Sequence, residues 1–189
     1  MIKEDVQHIK IMEEENSLIE KCRLDPQHFK VLYERYFKRI FLFVLHRVGD
    51  KAISADITSE VFLNALVNIN KYSFRGLPFS AWLFRIALNE CNDFFRSNSK
   101  HRIVTLQDEM VDNLFEELTA ENKIESFRQQ LPAILEKLSV PELHVIELRF
   151  FEQRPFKEVG DILGITETYA KVKVYRVLDK MKKLFLNSE

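Results

Sequence analysis

Residues 79–102 read F-S-A-W-L-F-R-I-A-L-N-E-C-N-D-F-F-R-S-N-S-K-H-R. Projected at about 100° per residue, Phe79, Leu83, Ile86, Ala87, Cys91 and Phe94 share one broad apolar face, which Phe84, Leu88 and Phe95 widen. This is the pattern of a helix with a wide buried side. Trp82, Arg85, Asn89, Asn92 and Arg96 align on the opposite side. A solvated face would be rich in Lys and Glu. This one carries an aromatic ring, two guanidiniums and two amides, groups that stack on bases and hydrogen-bond their edges. The same pattern also fits an outer face with a half-buried Trp.

Outward from this helix, the composition points the same way. Only four Gly and five Pro in 189 residues, with apolar spacings that mostly suit helices, predict an all-α chain, and 46% hydrophobic residues suffice for one ordinary domain or two small ones. A net charge of −1 means that any nucleic-acid binding must rest on local charge. Cys22 and Cys91 are too few for a disulfide framework or a zinc site. His8, His28, His46, His101 and His144 are scattered, and no Gly-rich phosphate loop or nucleophile constellation occurs. The expectation is therefore a non-enzyme without metal or cofactor. Apolar runs such as Ile40–Leu45 are too short to span a bilayer, and no signal-peptide pattern opens the chain, so we expect a cytoplasmic protein without membrane insertion.

Upstream, residues 1–21 form a lead-in, of which residues 1–16 are polar, expected to be frayed and given no function. From Pro26, Phe29, Leu32, Tyr33, Tyr36 and Ile40 keep helical spacing. Gly49-Asp50 ends that segment, and Ser54 reads as the next N-cap. In residues 55–69, Val61, Phe62, Ala65, Leu66 and Ile69 make a core stripe. On the far side Asp56, Glu60, Leu63 and Val67 point within about 40° of one direction. Two carboxylates followed by two aliphatics suit a partner that presents Arg beside apolar surface, unless a neighbouring helix of the same domain covers Leu63 and Val67. The loop N-K-Y-S-F-R-G-L-P, residues 70–78, interleaves Lys71, Tyr72, Phe74 and Arg75 before Gly76 and Pro78. Such a loop can cradle an unstacked base, although Phe74 could equally anchor it to the core.

The segments F-K-V-L-Y-E-R-Y, A-D-I-T-S-E-V-F, A-W-L-F-R-I-A-L-N and D-F-F-R occur in this order and spacing. They resemble region 2 of the extracytoplasmic-function sigma factors, small sigma-70 family subunits of bacterial RNA polymerase. The resemblance implies that Asp56 and Glu60 bind the β′ clamp helices of polymerase core. It also implies that Asn89 and the 70–78 loop meet the melted minus-ten element. Ser59 stands where the family usually has Gln, which removes one expected polymerase hydrogen bond but leaves the acidic pair.

Arg96, Lys100, His101 and Arg102 give this domain a basic end suited to phosphate contact. Residues 103–123 then turn acidic: Asp108, Glu109, Asp112, Glu116, Glu117 and Glu121 precede Lys123. Leu106, Met110, Leu114, Phe115 and Leu118 retain helical periodicity there. We read this linker as a solvated spacer; one alternative is that it folds over basic DNA-binding surface when polymerase is absent.

Residues 124–138 and 142–151 read as two helices, with Pro141 suited to a first turn. Then Phe156, Val159, Ile162 and Leu163 mark a short helix, Gly164 a turn, Thr166 a cap and Ile165 a corner staple. This is helix-turn-helix spacing. In the last helix Ala170, Val174, Val177, Leu178, Met181 and Leu184 form the core stripe, while Thr168, Lys171, Val172, Tyr175 and Arg176 project the other way, with Lys173 beside them. Six Lys or Arg lie between Lys171 and Lys183 against the single Asp179, a positive field that the net charge conceals. Lys182 and Lys183 read as a solvated helix end.

L-P-A-I-L-E-K-L-S, V-I-E-L-R-F-F-E and the helix-turn-helix resemble region 4 of the same family. That implies binding of the minus-thirty-five element by Lys171, Val172, Tyr175 and Arg176, and contact with the polymerase β flap. An inhibitory anti-sigma partner is also implied. Gly160 stands where Ala is usual, Tyr169-Ala170 where Thr-Val is usual, and Val172 where Ser is common. Base preference is therefore not inherited. The reading is a lead-in (1–21), region 2 (22–102), an acidic linker (103–123) and region 4 (124–187). Its rival is a stand-alone helix-turn-helix regulator whose first domain dimerises or senses a signal.

Overall fold

The structure, a computed structural model, describes residues 2–74, 76–98, 108–118 and 124–186, with side chains from Met12 in the first stretch and from Val111 in the third. Within these residues every regular element is helical: α1 (Ile2–Leu24), α2 (Phe29–Val48), α3 (Lys51–Val67), α4 (Phe79–Asn98), α5 (Asp108–Leu118), α6 (Ile124–Glu136), α7 (Val140–Ile146), α8 (Phe156–Leu163) and α9 (Glu167–Leu186). The chain divides into two units, residues 1–105 and 106–189.

In the first unit α2, α3 and α4 pack on one another. Leu32, Ile40 and Val44 of α2, Val61 and Ala65 of α3, and Phe79, Leu83, Phe84, Ala87 and Cys91 of α4 are buried together, as the helical spacing predicts. Phe43 meets Phe84 edge-on at 4.9 Å between ring centroids. Tyr33 departs from the expected stripe: it is half-exposed and lies against Phe62, 4.9 Å between centroids. Helix boundaries follow local chemistry. Gly49 ends α2 in the left-handed region, φ 74°, where it alone avoids a Cβ penalty. Asp50, not Ser54, caps α3: its carboxylate accepts the Ile53 N–H at 2.9 Å. Ser54 lies one turn inside, buried, and donates to the Asp50 carbonyl at 2.5 Å. The stretch expected as a frayed lead-in is helix from Ile2 and belongs to α1, on which Glu15, Ile19 and Cys22 are buried.

In the second unit α6, α7, the π-turn at Glu147–Phe151, α8 and α9 surround Leu131, Ile134, Val145, Leu148, Val159, Val174 and Met181. Phe185, rather than Leu184, completes the α9 stripe. The acidic segment contributes α5, whose Val111, Leu114, Phe115 and Leu118 are buried against α6, α9 and the π-turn. Phe115 contacts Phe127, which in turn meets Phe185, each pair 5.4 Å between centroids. Asp112 accepts from Arg128 at 2.6 Å. Residues 108–118 are thus packed structure rather than a solvated spacer. They lie at the Phe185 end of α9 and leave Thr168, Lys171, Val172, Tyr175 and Arg176 exposed.

Candidate nucleic-acid and protein interfaces

Three surfaces carry the candidate residues. The first is the outer side of α4 with the loop before it. Trp82 is half-buried, its ring 5.2 Å from Tyr72 and 5.4 Å from Phe79 between centroids. The indole is therefore held by two rings and remains partly accessible. Asn89 and Arg96 are exposed, Arg85 and Asn92 half-buried; Arg96 pairs with Asp93 at 2.9 Å. In the loop Lys71 and Phe74 are exposed, so Phe74 is no anchor. Tyr72 is, contrary to the expectation that it meets a base: it is buried between Phe79 and Trp82 and supports the indole from beneath. Leu77 is the loop's second buried anchor, and Gly76 turns it at φ 67°. Arg75, Lys100, His101 and Arg102 lie outside the described residues.

The second surface is on α3. Asp56 and Glu60 are exposed, and so are Leu63, at 54%, and Val67, at 70%. Among the described residues no helix of their own unit covers these aliphatics. The carboxylates line a groove between α3 and α4 with Glu90, Asp93 and Phe94, and Asn64 donates to Glu90 at 2.9 Å. Sequence reading missed Glu90 and Asp93, because the outer side of α4 was read for its aromatic, basic and amide groups alone.

The third surface is the exposed side of α9. Thr168, Lys171, Val172, Tyr175 and Arg176 are exposed and Lys173 is half-buried. Tyr169, not among the expected residues, stands exposed beside Thr168; its place just past the Thr166 cap was the signal. The turn beneath is formed as expected: Gly164 sits at φ 68°, and Thr166 Oγ1 accepts the Tyr169 N–H at 3.2 Å. At Gly160 the approach of the next helix is so close that a Cβ would lie 2.8 Å from the Ile165 carbonyl oxygen. Tyr175 lies 6.3 Å from Phe156, over which the Arg149 guanidinium sits at 5.0 Å. Lys180 is taken out of the positive field by Glu142 at 2.8 Å. That ammonium, with the Ser139 N–H, holds the Glu142 carboxyl below its ordinary range against partial burial.

Among the described residues no cluster of His, Cys, Asp or Glu could hold a metal, and no helix is long and apolar enough to cross a membrane. Residues 32–101 match the family model for Sigma-70 region 2, and residues 134–183 that for Sigma-70, region 4. The chain is 31% identical over 170 residues to the ECF RNA polymerase sigma factor BldN of Streptomyces coelicolor, covering 88% of this chain and 64% of BldN. It is 24% identical over 156 residues to the ECF RNA polymerase sigma factor SigM of Bacillus subtilis, covering 82% of this chain and 93% of SigM. Its fold is similar to that of CnrH, solved in complex with the cytosolic domain of CnrY, with a TM-score of 0.61 at 18% identity over 93% of this chain and 98% of that one.

Proposed function

This chain belongs to the extracytoplasmic-function branch of the sigma-70 family, and on that premise we propose that it works through the three surfaces described. It is a transcription initiation factor that directs RNA polymerase core to promoters, and like the family it is not an enzyme: the polymerase performs the chemistry. Residues 22–102 act as region 2 and residues 124–187 as region 4. The Asp56, Glu60, Leu63 and Val67 face docks on the β′ clamp helices. From α9, Thr168, Lys171, Val172, Lys173, Tyr175 and Arg176 meet the minus-thirty-five duplex in its major groove, each good bidentate base contact contributing about 1–3 kcal/mol. Region 4 also contacts the β flap.

Lys71, Phe74, Arg75, Trp82, Arg85, Asn89, Asn92 and Arg96 capture the melted minus-ten strand, each stacked base worth about 1–3 kcal/mol. Capture promotes melting because these groups bind the opened strand and find no equivalent in the duplex. An anti-sigma protein is the expected inhibitory partner, and the chain acts in the cytoplasm, where polymerase is.

The observation that carries this reading is the pair of exposed aliphatics, Leu63 and Val67, continuing a line of two exposed carboxylates on α3. A pull-down with bacterial core polymerase tests it. The wild-type chain is expected to bind and Asp56→Lys/Glu60→Lys to be lost. A chain that ignores core polymerase, self-associates through α3 and shifts duplex DNA would be the stand-alone regulator instead.

A further inference from the structure

The loop of residues 70–78 is held at both ends by one helix that the reading of region 2 leaves without a role. At its start, Arg23 of α1 donates to the Ile69 carbonyl at 3.4 Å and to the Tyr72 carbonyl, with Glu20 orienting the guanidinium at 2.7 Å. At its end, the Glu15 carboxylate of α1 accepts the Phe79 N–H at 2.7 Å. That N–H is the first of α4 and has no partner within the helix, so Glu15 caps α4 from a distant part of the chain. Glu15 and Arg23 stand eight residues apart, about 12 Å along a helix. A single rigid rod thus sets both edges of the loop.

Glu15 is also dear to keep. It is 3% exposed, and burying a carboxylate costs several kcal/mol unless hydrogen bonds and charges offset it. The other oxygen accepts from the Tyr36 hydroxyl, and Arg35 lies 3.8 Å away. Burial, with the carboxylate beside it, pushes the Tyr36 phenol well above its ordinary value, so it stays protonated and donates. A Leu would fill this space with no such cost. What a Leu could not do is fix the first N–H of α4, and with it Phe79, the ring against which Trp82 and Tyr72 pack.

We propose that α1 is a brace for single-strand capture: Glu15 and Arg23 are positioning residues that set the 70–78 loop and the Trp82 ring in their binding geometry before DNA arrives. This rests on the promoter-opening reading above and extends it to residues that touch neither polymerase nor base. Preorganisation of this kind raises affinity by removing the ordering cost from the binding step.

The test uses the full chain assembled on core polymerase. A pool of single-stranded oligonucleotides of random sequence is first enriched on the wild-type assembly, and the enriched pool is the probe. Glu15→Leu and Arg23→Met are expected to bind core polymerase as wild type does and to bind the pool about tenfold or more weakly. Glu15→Gln, whose amide oxygen can still accept the Phe79 N–H, is expected to retain most of the affinity. That rescue separates positioning from mere filling of space. Trp82 is the only tryptophan of the chain, so in the free full-length chain, without polymerase, its fluorescence should become more accessible to a soluble quencher in the Leu and Met variants and not in the Gln variant. Arg23 is part-exposed, which keeps the test open should Glu15→Leu fail to fold. Wild-type affinity for the pool in Arg23→Met, or a loss in Glu15→Gln equal to that in Glu15→Leu, overturns the brace. A wild-type chain that neither binds core nor enriches any oligonucleotide overturns the promoter reading itself.

Discussion

Trp82 rests on Tyr72 and Phe79, 5.2 and 5.4 Å between centroids, so its ring is held in one orientation, as the proposed stacking on a base requires. Trp82→Ala should therefore weaken single-strand binding by about 1–3 kcal/mol and leave duplex binding through α9 unchanged, which a parallel titration of both probes would reveal. Gly160 makes a different demand. Ala there would place a Cβ 2.8 Å from the Ile165 backbone oxygen, so the turn must open by a few tenths of an ångström or the helices must part. Overpacking of this sort costs about 1–3 kcal/mol, and Gly160→Ala should lower the thermal midpoint and weaken duplex binding together. Glu142 supplies a pH dependence with a definite sign. Its folded pKa lies below the unfolded value, so its tie to Lys180 stabilises above the ordinary Glu range and is lost as pH falls through the folded value. Glu142→Gln should accordingly be less stable than wild type near neutral pH and converge on it in acid, as urea unfolding at several pH values would show.

At the scale of elements, the helix-turn-helix was the most readable part of the chain because its information is local. Gly164 needs the left-handed region, Thr166 needs a hydroxyl, and both act within a few residues of themselves. Helix α4 was readable for its apolar side for the same reason. Its loop was less so: Tyr72 and Phe74 are both aromatics beside basic residues, and only the packing of Phe79 and Trp82 sends one ring inward and leaves the other out. Helix α1 was unreadable in its role. A run as charged as M-E-E-E-N looks solvated, and nothing in the string marks Glu15 as the carboxylate that meets a backbone N–H sixty-four residues away. On α9, Lys171 and Arg176 stand exposed. With Lys171 proposed at the duplex, Lys171→Ala should reduce the salt dependence of duplex binding by about one ion, measured as the slope of affinity against salt concentration.

The described residues form two hydrophobic cores, one for each unit. Leu114, fully buried on α5, belongs to the second, so the acidic segment is part of what makes that unit fold. Leu114→Ala should cost about 2–5 kcal/mol, and hydrogen exchange should locate the loss in α6–α9 while α2–α4 stay protected. The two thiols of the chain are divided between buried sites of the first unit alone, Cys22 on α1 and Cys91 on α4. Burial pushes the Cys22 thiol up, away from the reactive thiolate. Neither thiol is then open to an oxidant in the folded chain, and a native alkylation assay should label neither residue while the denatured chain takes up two equivalents. Thiol chemistry is thus no switch in the folded chain: a change of state at either cysteine has to wait for the first unit to open.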